Sequence, residues 1–238
     1  MRIAIIACKV FFRELSLIAS MSDNLVDIFF LKQQLHDTPK ILYNTLDETI
    51  KSIENSHEKY DAIALAYGLC SNGTVGISSK YKLVVPKVHD CISLLLGSKD
   101  KYDYHFNNNE GTYWLSTGWV ERSTLLLDET IKNKYEEYIE LYGEDNANYI
   151  IKELLGFLHN YKYCSYISWD EFKSIDSKFI ELSKEFARFY NLEFNIVKGN
   201  SSYLFDLVNS NWDEERFLIV EPNKCIQPSY DKEVIKYI

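Results

Sequence analysis

No two of the five cysteines stand close together in this chain; they fall at positions 8, 70, 91, 164 and 225. Structural zinc sites draw their ligands from pairs about two to four residues apart, so a zinc finger or ribbon is excluded. Also missing are a Gly-rich phosphate loop, a G-x-G-x-x-G fingerprint, a G-x-S-x-G elbow and an H-E-x-x-H helix. Standard nucleotide, serine hydrolase and metalloprotease chemistries are set aside with them. Basic residues are in deficit: 26 Lys and Arg face 35 Asp and Glu, a net charge of −9. The acidic residues are scattered, so a phosphate backbone would meet repulsion over most of the surface, and no nucleic-acid partner is expected. Long apolar runs are lacking too. The N-terminal "MRIAIIACKVFFRELSLIASMS" is broken by Lys9, Arg13 and Glu14 well before the roughly 18–20 residues of a membrane span. It reads as a first core strand rather than a signal peptide or anchor, and no membrane partner is expected.

The four prolines and nine glycines do not cluster, and there is no linker, repeat or low-complexity segment. What remains is an ordinary globular composition, 46% apolar and 26% charged, unusually rich in Tyr (18) and Phe (13). At this length folding buries roughly 70–75% of the surface that the unfolded chain exposes. A single domain over residues 1–238 is expected, with an alternative division into two lobes at about 1–122 and 123–238. Five cysteines without a secretory signal point to a reducing compartment, and a cytoplasmic location is expected.

Four apolar runs, at residues 2–7, 26–31, 61–67 and 82–86, have the character of strands buried on both faces of a parallel sheet. Between the second and third, Thr38 can cap a helix with Pro39 at its first position, and Leu42, Leu46, Ile50 and Ile53 share one helical face. This is a βαβ unit with a right-handed crossover. "GTYWLSTGW" (111–119) predicts another strand and its turn. Helical stripes follow: Ile131, Tyr135, Tyr138 and Tyr142, a break at "GEDN", then Ile150, Ile151, Leu154, Leu155 and Leu158. "YCSYISW", a helix with Phe179, Leu182, Phe186 and Phe189 facing inward, "EFNIV" and "RFLIVEP" restore the β–α alternation. The predicted class is α/β: a mostly parallel, Rossmann-like sheet flanked by helices, a helical insertion in the middle and a second α/β half.

Cys8, Cys70 and Cys91 each lie just past the carboxyl end of a predicted strand, where open parallel sheets bind ligands. Thiols remote in sequence can therefore meet in space, although any one buried cysteine more often only fills a gap. In "YGLCSNG", Gly68 and Gly73 permit unusual backbone angles, while Ser71 and Asn72 offer small polar groups and nearby N–H donors that favour an anionic sulfur or ligand. In "HDC", Asp90 occupies an N-cap position, and Cys91 in the first turn of the helix is expected to have its pKa lowered by the helix dipole. His89 is a candidate ligand or acid–base group, with Asp90 orienting it. Three separated thiolates suit a metal with an open coordination position: catalytic zinc, or a 4Fe–4S cluster with one iron free. His36 and Asp37 read as a capping turn, Trp114, Trp119 and Cys164 as core, and Cys225 as a fourth thiol without an assigned place.

In their order and spacing, "LHDTP", "YGLCSNGTVG", "VPKVHDCISLLLGS" and "GTYWLSTGW" resemble the family catalogued as domain of unknown function (DUF) 1638, found mainly in methanogenic archaea and anaerobic bacteria. The resemblance extends over nearly the whole chain, and "YGLC" and "HDC" are its specific part. It implies Cys8, Cys70 and Cys91 as the family's cysteine pattern, with His89 and Asp90 beside the last. It also implies an association with corrinoid-dependent methyl metabolism, and "HDC" is similar to the H-x-C zinc element of corrinoid-linked methyltransferases, although the barrel of those enzymes is missing. The leading expectation is a metal-dependent transferase or lyase acting on a small thiol-, methyl- or sulfur-bearing substrate. The alternatives are an accessory protein that handles a metal or corrinoid for a corrinoid protein or methyltransferase partner, and a metal-free enzyme with Cys70 as nucleophile and His89 as base.

Overall fold

The computed structural model describes residues 1–122 and 125–238; Ser123, where the sequence suggests the second lobe begins, and Thr124 lie outside the described residues. In chain order the elements of the first stretch are β1 (Arg2–Cys8), α1 (Phe12–Ser20), β2 (Leu25–Leu31), α2 (Pro39–Glu54), β3 (Ala62–Ala66), β4 (Leu83–Pro86), α3 (Cys91–Leu96) and α4 (Lys99–Asn108). There follow β5 (Thr112–Ser116), α5 (Thr117–Arg122), α6 (Asp128–Tyr142), α7 (Glu144–Gly156), β6 (Tyr163–Ser168), α8 (Lys173–Phe189) and β7 (Glu193–Lys198). The chain ends with α9 (Ser202–Val208), β8 (Phe217–Val220), β9 (Ile226–Pro228) and β10 (Ile235–Tyr237). Two compact units result, one of residues 1–102 with 200–238 and one of residues 103–199.

The first unit is built on a five-stranded sheet of order β2-β1-β3-β4-β8. The first four strands are parallel and β8 is antiparallel to β4, so the sheet is mixed, and its 2-1-3-4-5 order is that of one doubly wound type rather than of the dinucleotide-binding sheet. The four expected strands are all present to within a residue or two. β3 is buried throughout and β1 nearly so, which is why their sequences are continuous apolar runs rather than alternating ones. In α2, Pro39 occupies the first turn and Thr38 the cap position, although no Thr38 side-chain bond closes the cap. Its buried face is Leu42, Leu46, Ile50 and Ile53, each contributing about 1.5–3 kcal/mol through loss of apolar surface to water. The sequence did not predict α9 or the β9–β10 hairpin.

The second unit has its own parallel sheet, of order β5-β6-β7. Its core gathers Leu115, Cys164, Tyr166, Phe179 and Phe186. Leu182 and Phe189, expected to face inward, are instead 38% and 41% exposed. At 100° per residue they sit 60° to the side of Phe179 and Phe186, and the buried stripe of α8 runs through Asp176, Phe179, Ser183 and Phe186. The Asp176 carboxyl is held by the hydroxyls of Tyr166 (2.8 Å), Thr117 (3.0 Å) and Ser168 (2.5 Å), which satisfies a buried polar group that would otherwise be costly. Among the described residues no helix is long and apolar enough to cross a membrane.

Leu46→Ala should leave a cavity under the first sheet. We expect it to lower the unfolding free energy of that unit by about 2–5 kcal/mol, measured by urea denaturation.

Candidate functional site

Parallel pairing brings the carboxyl ends of β2, β1, β3 and β4 to one edge. The chain runs from β1 outward to β2, then returns to the other side of β1 as β3, so the topological switch point lies between β1 and β3. Crevices open at such points because the connections on the two sides leave in opposite directions. Cys8 is the last residue of β1 and pairs with Leu31 of β2; on its other side Ala7 pairs with Ala66, so the next residue along that strand, Tyr67, lies beside Cys8.

The loops after β3 and β4 are stitched together beyond the end of the sheet. The Leu69 amide donates to the Val88 carbonyl (2.9 Å) and the Cys70 amide to the His89 carbonyl (2.8 Å). Gly68 permits this approach: a Cβ there would stand 2.4 Å from the Val88 carbonyl oxygen. Cys70, Ser71 and Asn72 then adopt three consecutive left-handed conformations (φ 45°, 56° and 67°), closed by the Gly73 amide donating to the Cys70 carbonyl at 2.9 Å. Such angles cost non-glycine residues about 1–2 kcal/mol each and persist only where the surroundings impose them. The turn carries the Ser71 and Asn72 side chains outward and buries Cys70, while Gly73 packs against Leu42 of α2.

The loop after β4 delivers the third thiol. Asp90 is the N-cap of α3, its Oδ1 accepting from the Ile92 amide at 2.9 Å, and its Oδ2 accepts the Tyr102 hydroxyl at 2.9 Å. Cys91 begins the helix. The expected cap is therefore present, and it fixes where Cys91 stands.

Electrostatically the three thiols form one group. Cys70 feels Cys8; Cys91 feels both; the Tyr67 phenol feels all three. Burial pushes the Cys8 thiol up to about 11 and the Cys70 thiol up to about 12, the single amides of Val10 and Gly68 pulling less strongly the other way. Burial, then the Asp90 carboxylate and the other two thiols, holds Cys91 well above its ordinary value, and burial with the three thiols does the same for Tyr67. This corrects the expected lowering at Cys91. The helix is only six residues long, Asp90 adds negative charge at its start, and desolvation outweighs the dipole. The Tyr67 hydroxyl, in a residue 5% exposed, has no hydrogen-bond partner among the described residues. As they stand, no three His, Cys, Asp or Glu side chains among the described residues converge closely enough to grip a single metal ion.

The other candidates lie elsewhere. His89 is exposed, and its tie to the site is its carbonyl. His36 stands in the short turn Leu35–Asp37, paired with the Asp37 carboxyl at 3.2 Å. Cys225 bridges to Ser78, its sulfur accepting from the Gln227 amide at 3.6 Å. Cys164 is buried in β6, as expected. Sequence reading missed Tyr67, Tyr102 and Gln33, whose side-chain placement leaves no mark in composition or spacing.

Two outcomes follow. Gly68→Ala should force the two loops apart, seen as faster hydrogen exchange at the Leu69 and Cys70 amides and a lower Tm. The ordinary thiol value is 9.0, so above about pH 9 the unfolded chain releases protons that buried Cys8 and Cys70 retain. Stability that is complete below pH 9 should therefore be lost between about pH 9 and 11–12, by up to about 1.4 kcal/mol per pH unit for each thiol. Cofactor-free Cys70→Ala should show a shallower decline in Tm over that window than the unsubstituted protein.

No curated protein and no solved structure matches the chain. A family model described as "Protein of unknown function (DUF1638)" matches residues 30–208. That stretch takes in Cys70, Cys91, Tyr67 and the whole second unit, but it begins after β1 and Cys8, so the match is shorter than the near-complete resemblance expected from the motifs. Covering well over half of the sequence, it shows that the chain belongs to the DUF1638 family.

Proposed function

We propose that Cys8, Cys70 and Cys91 are the protein ligands of an iron–sulfur cluster of the 4Fe–4S type, in an enzyme that acts on a small thiol-, methyl- or sulfur-bearing molecule. The observation that carries this reading is that buried Cys8 and Cys70 and half-buried Cys91 stand at one edge of the sheet within electrostatic reach of one another, beside a phenol with no partner among the described residues. The charged groups acting on Cys70 and Cys91 are all acids: Asp90 and the neighbouring thiols. Such a group is poorly suited to ionise by itself and well suited to a cation, which would deprotonate the thiols outright. A single zinc ion needs its sulfurs within about 2.3 Å, whereas a cluster spreads three thiolates over three irons.

When bound, the cluster supplies a Lewis-acidic iron with an open position for a sulfur or oxygen lone pair. The chain's own residues do the rest. The stitched loops and the left-handed turn hold Cys70, Asp90 fixes Cys91 by capping its helix, and Tyr67 offers a buried hydroxyl beside Cys8. His89, exposed beside Cys91, is the group we assign to proton exchange with solvent. The raised thiol pKa values weigh against a metal-free nucleophile. A cytoplasmic setting in anaerobic one-carbon or sulfur metabolism suits oxygen-sensitive ligation of this kind.

Purification without oxygen should yield about four iron and four acid-labile sulfide per chain with sulfur-to-iron charge-transfer absorption, lost in Cys70→Ala and Cys91→Ala. One zinc per chain without sulfide would replace the cluster by a single ion. Neither metal, with the thiols freely oxidisable, would remove the reading. A spectral change on adding cobalamin without any turnover would favour the accessory role.

A further inference from the structure

Two buried side chains at this sheet edge have polar atoms that nothing in the fold explains. Gln33, 6% exposed, has neither its Nε2 nor its Oε1 bonded to a partner among the described residues, and the Tyr67 hydroxyl is likewise unbonded. Gln33 lies two residues past Leu31, the partner of Cys8 in the sheet, and the chain turns there through a left-handed Gln34 (φ 67°). Tyr67 is the first residue past β3, on the other side of Cys8. Strands in a sheet are about 4.8 Å apart, so the ends of β2 and β3 stand about 10 Å from one another with the Cys8 thiol between them. A small molecule spans that distance.

A buried carboxamide without partners is unfavourable, because both its donor and its acceptor have left water for nothing in return. Natural cores avoid this, and such a group calls for ordered water, an ion or a ligand to complete its bonding. The donor and acceptor of one carboxamide lie side by side, and their complement is a group that presents an acceptor next to an N–H.

We propose that Gln33 and Tyr67 form the recognition half of the site and that its substrate class is a small neutral thioamide-type molecule, a C=S group flanked by an N–H. Gln33 Oε1 accepts from the substrate N–H and Gln33 Nε2 donates to the thiocarbonyl sulfur, towards which the Tyr67 hydroxyl also donates. This rests on the cluster reading only for the preference for C=S over C=O; the requirement for an N–H comes from Gln33 alone.

The test uses full-length protein purified without oxygen, with thioacetamide, acetamide and N,N-dimethylthioacetamide as probes followed by ligand-observed NMR, and iron measured on every sample. Thioacetamide should bind, and N,N-dimethylthioacetamide, which lacks the N–H, should bind about tenfold more weakly. Gln33→Leu and Tyr67→Phe should each weaken thioacetamide to a similar degree with unchanged iron content. Because Gln33→Leu removes unsatisfied polar atoms, it should also raise, or at least keep, the Tm of the ligand-free protein; a merely structural Gln33 would give a lower Tm. Gln33→Glu, close in shape, should lose thioacetamide as well, which guards against a folding defect in the leucine variant. Equal binding of the two thioamides, no binding of thioacetamide to the unsubstituted protein, or a Gln33→Leu variant that is less stable yet binds normally would each overturn the proposal. Iron absent while the N–H requirement persists would sink the cluster and leave the Gln33 recognition standing. Iron present with no thioamide binding would do the reverse.

Discussion

The parallel pairing of β1 with β2 on one side and β3 on the other is the constraint on which the candidate site depends. It places Cys8 between Leu31 and the position of Tyr67, at the point where the connections diverge. β4 extends the same edge, and the loop that follows it is tied to the loop after β3 by two backbone hydrogen bonds that a side chain at position 68 would forbid. Residues from separate stretches thus share one edge of the sheet, held there by main-chain geometry.

The consequence is electrostatic. Three thiols and a phenol share a poorly solvated place with the Asp90 carboxylate nearby: burial raises all four, Asp90 and Cys8 add to the rise at Cys70, Asp90, Cys8 and Cys70 to that at Cys91, and the three thiols to that at Tyr67. Asp90 has two effects: its oxygens satisfy the Ile92 amide and the Tyr102 hydroxyl, while its charge raises the Cys91 thiol. Protonated, these thiols pack as small apolar groups, and their raised pKa values would be reversed by any cation that bound them.

The second unit follows the same rules with a different outcome. Its sheet is parallel, and at the carboxyl ends of β5 and β6 stand hydroxyls that are all directed to the Asp176 carboxyl. There the Asp176 carboxyl is satisfied from within, although the buried Ser165 hydroxyl of β6 has no partner among the described residues; at the edge of the first sheet the Gln33 carboxamide and the Tyr67 hydroxyl have none. The family match includes this unit entirely, so it belongs to the body that members share.

Local chemistry was readable along the chain. Continuous apolar runs marked the strands of the first sheet, the spacing of Leu42, Leu46, Ile50 and Ile53 marked the face of α2, and Asp90 before an apolar run marked a capped helix. Cysteines at strand ends were visible for the same reason: strand direction and topology convert a position in sequence into a place at an edge. Less readable were features that need neighbours distant in sequence. The apolar stripe of α8 admitted Leu182 and Phe189, because periodicity cannot tell which side of a stripe a second layer covers. The ionisation of Cys91 was read from its own helix, while the burial and charges that dominate it come from β1, β3 and Asp90. The sequence by itself determined an acidic α/β chain with thiols at the ends of buried parallel strands, since those properties follow from composition and local pattern. Only the tertiary structure decided that the three thiols stand at one edge within electrostatic reach, that burial raises their pKa values, and that Tyr67 and Gln33 are enclosed without partners among the described residues, because enclosure and shared field belong to atoms brought together from remote parts of the chain.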